Sequence, residues 1–209
     1  MEMSITRGLA ELKLLDSRIT RSILNSKFVE SNKKSSKNVD GSMTKEDFNK
    51  SVQGDYQSIV TLIERRKIIK SSIVESNAKT MVNIGGVEMT VAAAIERKNN
   101  ISYEKSLLSQ MKNQLRNAKY NVLSMNEEVD RKLDSLLETM LGKENLKNID
   151  KESNEFSVKY KNDNEYEIID PIGIELKIRD LEKEIENFES EVDYVLSESN
   201  TITKISIPD

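Results

Sequence analysis

The chain has 209 residues, of which 33% are charged and 36% hydrophobic, and its net charge is −4. It contains no cysteine and no histidine, so disulfides, thiolate chemistry and histidine-based acid–base catalysis are excluded. The near-neutral mixture of charges also argues against general nucleic-acid binding, which needs a basic excess. This balance favours long amphipathic helices in a protein that is not a conventional enzyme.

The first predicted helix spans residues 4–25. Ser4 suits its N-cap, because a serine oxygen can accept a hydrogen bond from a free backbone N–H. Apolar residues recur at helical spacing and define one face: Ile5, Leu9, Leu12, Ile19 and Ile23. The polar stretch over residues 30–38 is typical of a loop.

A second helix is predicted over residues 44–76, with Thr44 as its N-cap. Its apolar face consists of Phe48, Val52, Tyr56, Ile59, Ile63 and Ile73. Residues 80–89 then predict a β-hairpin, because Gly85 and Gly86 can supply the positive φ angles that a two-residue turn needs.

The third predicted helix, over residues 90–140, is the longest. Its apolar residues follow heptad-like spacing: Leu108, Met111, Leu115, Ala118, Val122, Met125, Val129, Leu136 and Met140. At ~1.5 Å per residue it would be ~75 Å long, whereas a compact chain of this size is ~35–45 Å across. We therefore expect this helix to project or to be covered by another chain, which predicts a homo-oligomer.

The C-terminal part predicts three further elements. Alternating apolar residues favour a second hairpin over residues 155–169. Asp170 and Pro171 suit the start of a helix over residues 171–199. The apolar stripe of this helix consists of Ile174, Ile178, Leu181, Ile185, Phe188, Val192 and Val195. Residues 201–207 predict a C-terminal strand.

Ten residues near the end of the second helix are echoed 123 positions later. Residues 75–84 and 198–207 share Glu, Ser, Asn, Thr and a final Ile at equal positions, and both follow an amphipathic helix. This predicts a repeated helix–Ser-Asn–strand corner, since Asn tolerates the conformations that end helices. We expect the C-terminal strand to pair with the 80–89 hairpin in a minor three-stranded sheet. The predicted fold is mainly α: a single elongated domain, built as a long antiparallel helical bundle or coiled coil.

Basic, amide and hydroxyl side chains are expected to converge at the end of the bundle that carries these corners. Such groups suit an anionic, hydroxyl-bearing ligand such as a nucleotide. The candidate ligand-binding residues are Arg65, Arg66, Lys70, Asn77, Lys79, Thr80, Arg97, Lys98, Asn200 and Thr201. The alternative is ordinary surface charge matched by Glu64, Glu75 and Glu96. No catalytic residue, metal ligand or cofactor is predicted, and an enzyme using only carboxylates and Mg²⁺ is the remaining catalytic alternative.

Three stretches, residues 4–12, 76–98 and 170–173, resemble a family of helical proteins carried by phages and prophages of low-GC Gram-positive bacteria. More distantly, the helix–Asn–hairpin–helix order is similar to small helical bacterial proteins described as septicolysin-like. The resemblance implies a phage context and helical oligomers, and it supplies no active site to carry over.

These features together predict a non-enzymatic phage-type oligomer that binds and sequesters a nucleotide-derived bacterial immune signal. The analogy is with phage sponge proteins, which hold such signals without altering them. A virion or assembly protein and an inhibitor that binds a host defence enzyme are the alternatives. The sequence shows neither a signal peptide nor 18 consecutive apolar residues. We therefore expect a cytoplasmic location, that of the host cell if the protein is phage-encoded, and no membrane or nucleic-acid partner.

Overall fold

The protein is mainly α-helical, and short antiparallel strand pairs accompany the helices, which confirms the predicted fold class. The computed structural model describes residues 1–40, 43–142 and 155–208. The elements in chain order are β1 (Glu2–Ser4), α1 (Ile5–Asn25), β2 (Asn38–Asp40), β3 (Met43–Thr44), α2 (Lys45–Lys79), β4 (Met81–Ile84), β5 (Val87–Thr90), α3 (Val91–Leu141), α4 (Glu155–Asn164), α5 (Ile174–Ile202) and β6 (Lys204–Ser206).

The chain divides into two compact units. The first unit contains Met1–Asn99 and Asn187–Asp209, and the second contains Asn100–Glu186. α3 is one continuous helix that begins in the first unit and ends in the second. The single elongated domain expected from the sequence stays a prediction.

The first three helices begin at capping hydroxyls, as predicted. The side-chain oxygens of Ser4, Thr44 and Thr90 accept the backbone N–H three residues later, at 3.3, 3.1 and 3.1 Å. Each cap satisfies a donor that has no partner inside its own helix. The starts of α1, α2 and α3 therefore lie within one residue of the predicted starts, and α2 continues three residues beyond its predicted end, to Lys79.

The predicted hairpin is confirmed as β4 and β5, which pair from Met81 with Thr90 to Ile84 with Val87. Gly85 and Gly86 form the turn with φ angles of +61° and +81°. Positive φ at both turn residues matches the twist of the flanking strands, which explains the Gly-Gly pair.

The repeated corner is also confirmed, and both copies lie in the first unit. The backbone N–H groups of Thr80 and Thr203 each donate to the carbonyl four residues earlier, on Ser76 and Ser199, at 2.9 Å. The carbonyls of the same two threonines accept the first N–H of α3 and of α1, at 2.9 and 3.0 Å. Each corner thus ends one helix, begins a strand and fixes the start of another helix.

The predicted three-stranded sheet is wrong. β6 pairs with β1 instead of the hairpin, with Glu2 opposite Ser206 and Ser4 opposite Lys204. The N-terminal amine of Met1 extends this pairing by donating to the carbonyl of Ile207 at 2.9 Å. A three-residue strand before α1 leaves little periodicity in the sequence, so β1 was not predicted. The C-terminal strand is also shorter than residues 201–207, because α5 continues to Ile202.

The core of the first unit lies between α1, α2 and the β1–β6 pair. Its buried residues are Met3, Ile5, Leu12, Leu15, Ile69, Ile73, Ile205 and Ile207. A Cβ placed on Gly8 would lie 3.2 Å from Ile73 Cδ1 and 3.3 Å from Ile205 Cδ1, so a glycine here permits close packing. Four residues assigned to the apolar faces of α1 and α2 are substantially exposed instead: Leu9, Ile23, Tyr56 and Ile63.

In the second unit, α3 and α5 run antiparallel and are joined by ion pairs from Lys112 to Glu182 and from Lys119 to Glu175. From Leu108 onward, the buried and half-buried stripe of α3 consists of Leu108, Met111, Leu115, Ala118, Val122, Asn126, Val129, Leu133 and Leu137. Three residues of the predicted heptad, Met125, Leu136 and Met140, are exposed instead. After Val122 the stripe steps by four, three, four and four residues, which keeps it on one face of a helix with 3.6 residues per turn.

The hairpin predicted over residues 155–169 is wrong, because residues 155–164 form α4. Helical spacing brings the rings of Phe156 and Tyr160 to a centroid distance of 6.2 Å, and the same turn buries Ser157 completely. Lys161 of α4 also pairs with Asp130 of α3 at 2.8 Å. These contacts favour the helix over the alternating pattern of three apolar residues.

The side chain of Asn126 connects the segment between α4 and α5 to α3 by hydrogen bonds. The Asn126 amide donates to the carbonyl of Tyr166 at 3.0 Å and accepts its N–H at 2.8 Å. α5 begins at Ile174, three residues after the predicted start, and the Asp170 carboxylate accepts the Ile174 N–H at 2.8 Å. Asp170 and Pro171 therefore form the turn before the helix.

Candidate functional site

Two of the predicted basic residues, Arg65 and Arg66, are bound to α1. Arg65 Nε donates to Glu11 Oε1 at 3.1 Å and its Nη1 donates to the carbonyl of Pro208 at 3.3 Å. Arg66 pairs with Asp16. The hydrogen bond from Arg66 lowers the pKa of the Asp16 carboxyl and raises the pKa of Arg66. Both guanidinium groups therefore help to hold α1 against α2.

Most of the other basic candidates are engaged as well. Lys79 pairs with Glu75 at 2.6 Å one helical turn earlier, and this hydrogen bond lowers the pKa of Glu75. The Arg97 guanidinium lies 4.5 Å from the ring centroid of Phe188, a cation–π contact. Lys98 pairs with Asp193. Lys70 is exposed and has no ion pair with the described residues.

The polar candidates at the two corners have different surroundings. Thr80 and Thr201 turn their hydroxyls back to helix carbonyls, on Ser76 at 2.9 Å and on Ser197 at 3.0 Å. The Oδ1 atom of Asn77 is buried and has no hydrogen-bond partner among the described residues. The Asn200 amide is half-buried and also makes no hydrogen bond there.

A groove of about 410 Å³ in the first unit, which we call the corner groove, brings two of the ten candidates together. It is formed by the first turns of α1, the first two turns of α3 and the last three turns of α5. Its lining residues are Thr6, Leu9, Ile95, Lys98, Asp193, Leu196, Ser197 and Asn200. Lys98 and Asn200 are the predicted members, and the hydroxyls of Thr6 and Thr201 meet at its edge at 3.5 Å. Arg65, Arg66, Lys70, Asn77, Lys79, Thr80 and Arg97 do not line it.

The corner groove has an apolar part and a polar part. Leu9, Ile95 and Leu196 supply the apolar surface. The polar surface includes the Ser197 hydroxyl and the Asn200 amide, which have no hydrogen-bond partner among the described residues and are available to a ligand. A concavity that combines apolar surface with polar groups free to bind is a feature of small-molecule sites.

Sequence reasoning missed Thr6, Asp193 and Ser197 of the corner groove. The candidates were chosen near the Ser-Asn corners and the basic clusters, whereas these residues reach the groove because β6 pairs with β1 and brings the start of α1 to the end of α5. Ser197 and Asp193 lie three and seven residues before Asn200 on the same helix, so helical periodicity from Asn200 could have found them.

Two other concavities in the first unit offer less. One of about 490 Å³ is a shallow depression lined by residues of α1 alone. Another of about 250 Å³ lies between α1 and α2 near Asn25 and Asp55. Within the described ranges, no group of three or more acidic residues is placed to hold a metal ion, and no helix is long and apolar enough to cross a membrane.

Comparison with protein-family models, curated proteins and solved structures finds no match to this chain.

Proposed function

We propose that this protein binds a small nucleotide-derived molecule in the corner groove and sequesters it without chemical change. The observation that carries the proposal is the convergence of three helix ends on one concave surface with apolar and polar parts. An apolar part can take a base, and the Asn, Ser and Thr groups can read the hydroxyls of a sugar. A volume of about 410 Å³ lies within the range of small-molecule sites.

Binding without turnover is supported by the chemistry of the lining residues. The chain has no histidine or cysteine to act as a general base or nucleophile. The charged groups of the groove, Lys98 and Asp193, are paired with each other. Such a site can hold a ligand reversibly, which is the property that removal of a signal from solution requires.

The biological role we propose is the removal of a bacterial immune signal from the host cytoplasm. The resemblance to phage-borne proteins supports this role, because a phage gains from silencing host defence. Homo-oligomerisation is part of the same proposal. It is supported by the large apolar side chains that α3 leaves exposed in the second unit, of which Tyr103 is 75% and Leu123 is 61% exposed.

The test is incubation with a panel of cyclic mononucleotides, cyclic dinucleotides and ADP-ribose derivatives. Unbound molecules are removed, the protein is denatured by heat, and the released material is identified by chromatography. Recovery of one intact compound in stoichiometric amount is the expected result. A chemically altered product would indicate an enzyme, and the absence of any bound compound would refute the proposal.

The two corners provide a matched pair of variants for this test. Asn200→Ala removes an amide that lines the corner groove, whereas Asn77→Ala removes the equivalent amide at the other corner, outside the groove. We expect Asn200→Ala to lose the compound and Asn77→Ala to retain it. Equal retention by both variants would place the ligand elsewhere on the protein.

The exposed side chains of α3 also favour a second candidate function, the binding of another protein. Leu107 and Tyr120 are 56% and 70% exposed, and such residues are common anchors of protein interfaces. The partner would be a virion component or a host defence enzyme. Co-purification of a stoichiometric host protein, or presence of the chain in purified virions, would decide for this function. Sedimentation of the purified protein tests self-association, and a stable monomer at micromolar concentration would contradict the proposed oligomer.

A further inference from the structure

The repeated corner provides an internal comparison for every residue of the corner groove. The ends of α2 and α5 correspond at a separation of 123 residues, as the bonds of Thr80 and Thr203 show. The starts of α1 and α3 correspond at a separation of 86 residues, since Ser4 and Thr90 are both N-caps. The strand registers agree with this correspondence, because Ser4 pairs with Lys204 as Thr90 pairs with Met81.

The residues that build the corners are alike in the two copies. The sequences Glu-Met-Ser-Ile at residues 2–5 and Glu-Met-Thr-Val at residues 88–91 occupy equivalent strand ends and helix starts. The apolar part of the corner groove is alike as well. Leu9 and Ile95 are equivalent to each other, and Leu196 is equivalent to Ile73. The strand ends and helix starts of both copies therefore meet the same requirements of backbone geometry.

The polar part of the corner groove is not repeated. The equivalents of Thr6, Lys98, Asp193, Ser197 and Thr201 are Ala92, Leu12, Lys70, Val74 and Ala78. Only the Asn of the corner occurs in both copies. The other corner forms with alanine at the positions of Thr6 and Thr201 and with valine at that of Ser197, and all of these positions are exposed, so folding of the corner does not need these hydroxyls. Leu12 is buried in the core, whereas its equivalent Lys98 is exposed.

We infer that these polar residues serve a ligand with one anionic group and neighbouring hydroxyls, such as a nucleoside monophosphate. The inference rests on the proposed function and specifies its ligand class. Within the part of the chain that the structure describes, Lys98 is the only cation that lines the corner groove. Its ion pair with Asp193 is solvent-exposed, with the two side chains 47% and 76% accessible, so the anionic group of a ligand can replace the carboxylate at small cost.

The other predicted cations do not line the corner groove, which limits the ligand to a single anionic group. Arg65 and Arg66 are held by acids of α1, away from the groove lining. Arg97 is stacked on Phe188, and Lys79 is paired with Glu75. Asp193 and Lys98 together give the groove no net charge, so a chain of several phosphates would lack cations to neutralise it.

The test uses isothermal titration calorimetry with adenosine, adenosine 5′-monophosphate and adenosine 5′-triphosphate. We expect the monophosphate to bind about ten-fold more tightly than the nucleoside, because it gains a charge-assisted hydrogen bond. The triphosphate should bind within about three-fold of the monophosphate, because the groove offers its extra charges no cation.

The internal repeat also supplies the variants. Thr6→Ala, Ser197→Val and Lys98→Leu each install the equivalent residue of the other corner, and all three positions are exposed, so folding should be preserved. Each is expected to weaken binding of the monophosphate, and the triple variant by about a hundred-fold. The reverse exchanges, Ala92→Thr and Val74→Ser, serve as controls at the other corner and should leave binding unchanged.

The outcomes separate the ligand class from the proposed function. Triphosphate binding more than ten-fold tighter than monophosphate binding, or full binding by the folded triple variant, would overturn the ligand class while the proposed function stands. Binding of a cyclic or larger signal without any binding of the monophosphate would have the same meaning. Failure of the wild-type protein to bind any of the three probes or any signal would overturn both.

Discussion

The two hydrogen bonds between Asn126 and the backbone of Tyr166 predict that Asn126→Ala lowers the global stability and speeds hydrogen exchange at the Tyr166 amide. Asn126→Ala removes an acceptor at 2.8 Å and a donor at 3.0 Å from the segment that joins α4 to α5. At about 0.5–1.5 kcal/mol for each bond, the free energy of unfolding should fall by about 1–3 kcal/mol. The Tyr166 amide should then exchange with solvent about ten-fold or more faster, since 1.4 kcal/mol corresponds to a factor of ten.

Asn117→Ala is the matched control, because Asn117 lies on the same helix, is exposed and makes no hydrogen bond with the described residues. Both variants gain the same helix propensity from alanine, so the difference between them isolates the two bonds. Urea denaturation measures the global stability, and hydrogen exchange followed by NMR measures the Tyr166 amide. Equal exchange rates of the Tyr166 amide in the two variants would refute the stabilisation of the α4–α5 segment by Asn126.

The remaining predictions concern the first unit. In thermal unfolding, Gly85→Ala should destabilise the protein more than Gly86→Ala. Both glycines have positive φ, but only at Gly85 would the new Cβ meet a neighbour, Asn187 Cβ at 3.0 Å. Gly86→Ala should cost about 1 kcal/mol, and the reverse order would contradict the turn geometry. The hydrogen-bonded ion pair with Arg66 lowers the pKa of Asp16, so it stabilises the fold above the unfolded pKa of about 3.9, and this contribution is lost as pH falls through the folded pKa. The difference in unfolding free energy between the wild type and Arg66→Gln should therefore vanish in acid. An NMR titration that gives Asp16 the same pKa in both proteins would contradict this prediction. Gly8→Leu should lower the free energy of unfolding, measured in urea, by about 1–3 kcal/mol, because even a Cβ at this position would crowd two isoleucine methyl groups of the core. An unchanged free energy of unfolding would contradict the close packing described at Gly8.

Local signals in the sequence predicted the elements whose chemistry is local. The hydroxyl caps of α1, α2 and α3 and the Gly85-Gly86 turn each depend on residues within a few positions, and all were predicted within one residue. The echo of residues 75–84 at 198–207 predicted both corners, because the same short sequence makes the same bonds at both places.

The errors occurred where distant residues decide the structure. The sequence does not distinguish the two possible partners of β6, the 80–89 hairpin and β1. Its pairing with β1 depends on the positions of α1 and α5, which bring the two strands together. The 155–164 segment alternates like a strand, yet its contacts with α3, including the Lys161–Asp130 pair, stabilise a helix. Likewise, the prediction extended the heptad on α3 past Val122, whereas the buried stripe continues to Leu137 in steps of four, three, four and four residues.

The sequence predicted that ten residues converge at the end of the bundle that carries both Ser-Asn corners, whereas the corner groove lies at one corner and contains Lys98 and Asn200 of the ten. The basic side chains could not be assigned to a ligand or to a structural ion pair from sequence alone. Arg65 and Arg66, for example, find their acids 54 and 50 residues away on α1.

The strand pairing has a consequence for how the two halves of the chain depend on each other. Both strand pairs at the corners join one half to the other: β1 with β6, and β4 with β5. A protease cut in the Gly85-Gly86 turn would therefore yield two fragments, each with strands whose partners are on the other fragment. Such fragments should reassociate when mixed. Two intact copies of the chain could also form a domain-swapped dimer through the same strand pairs.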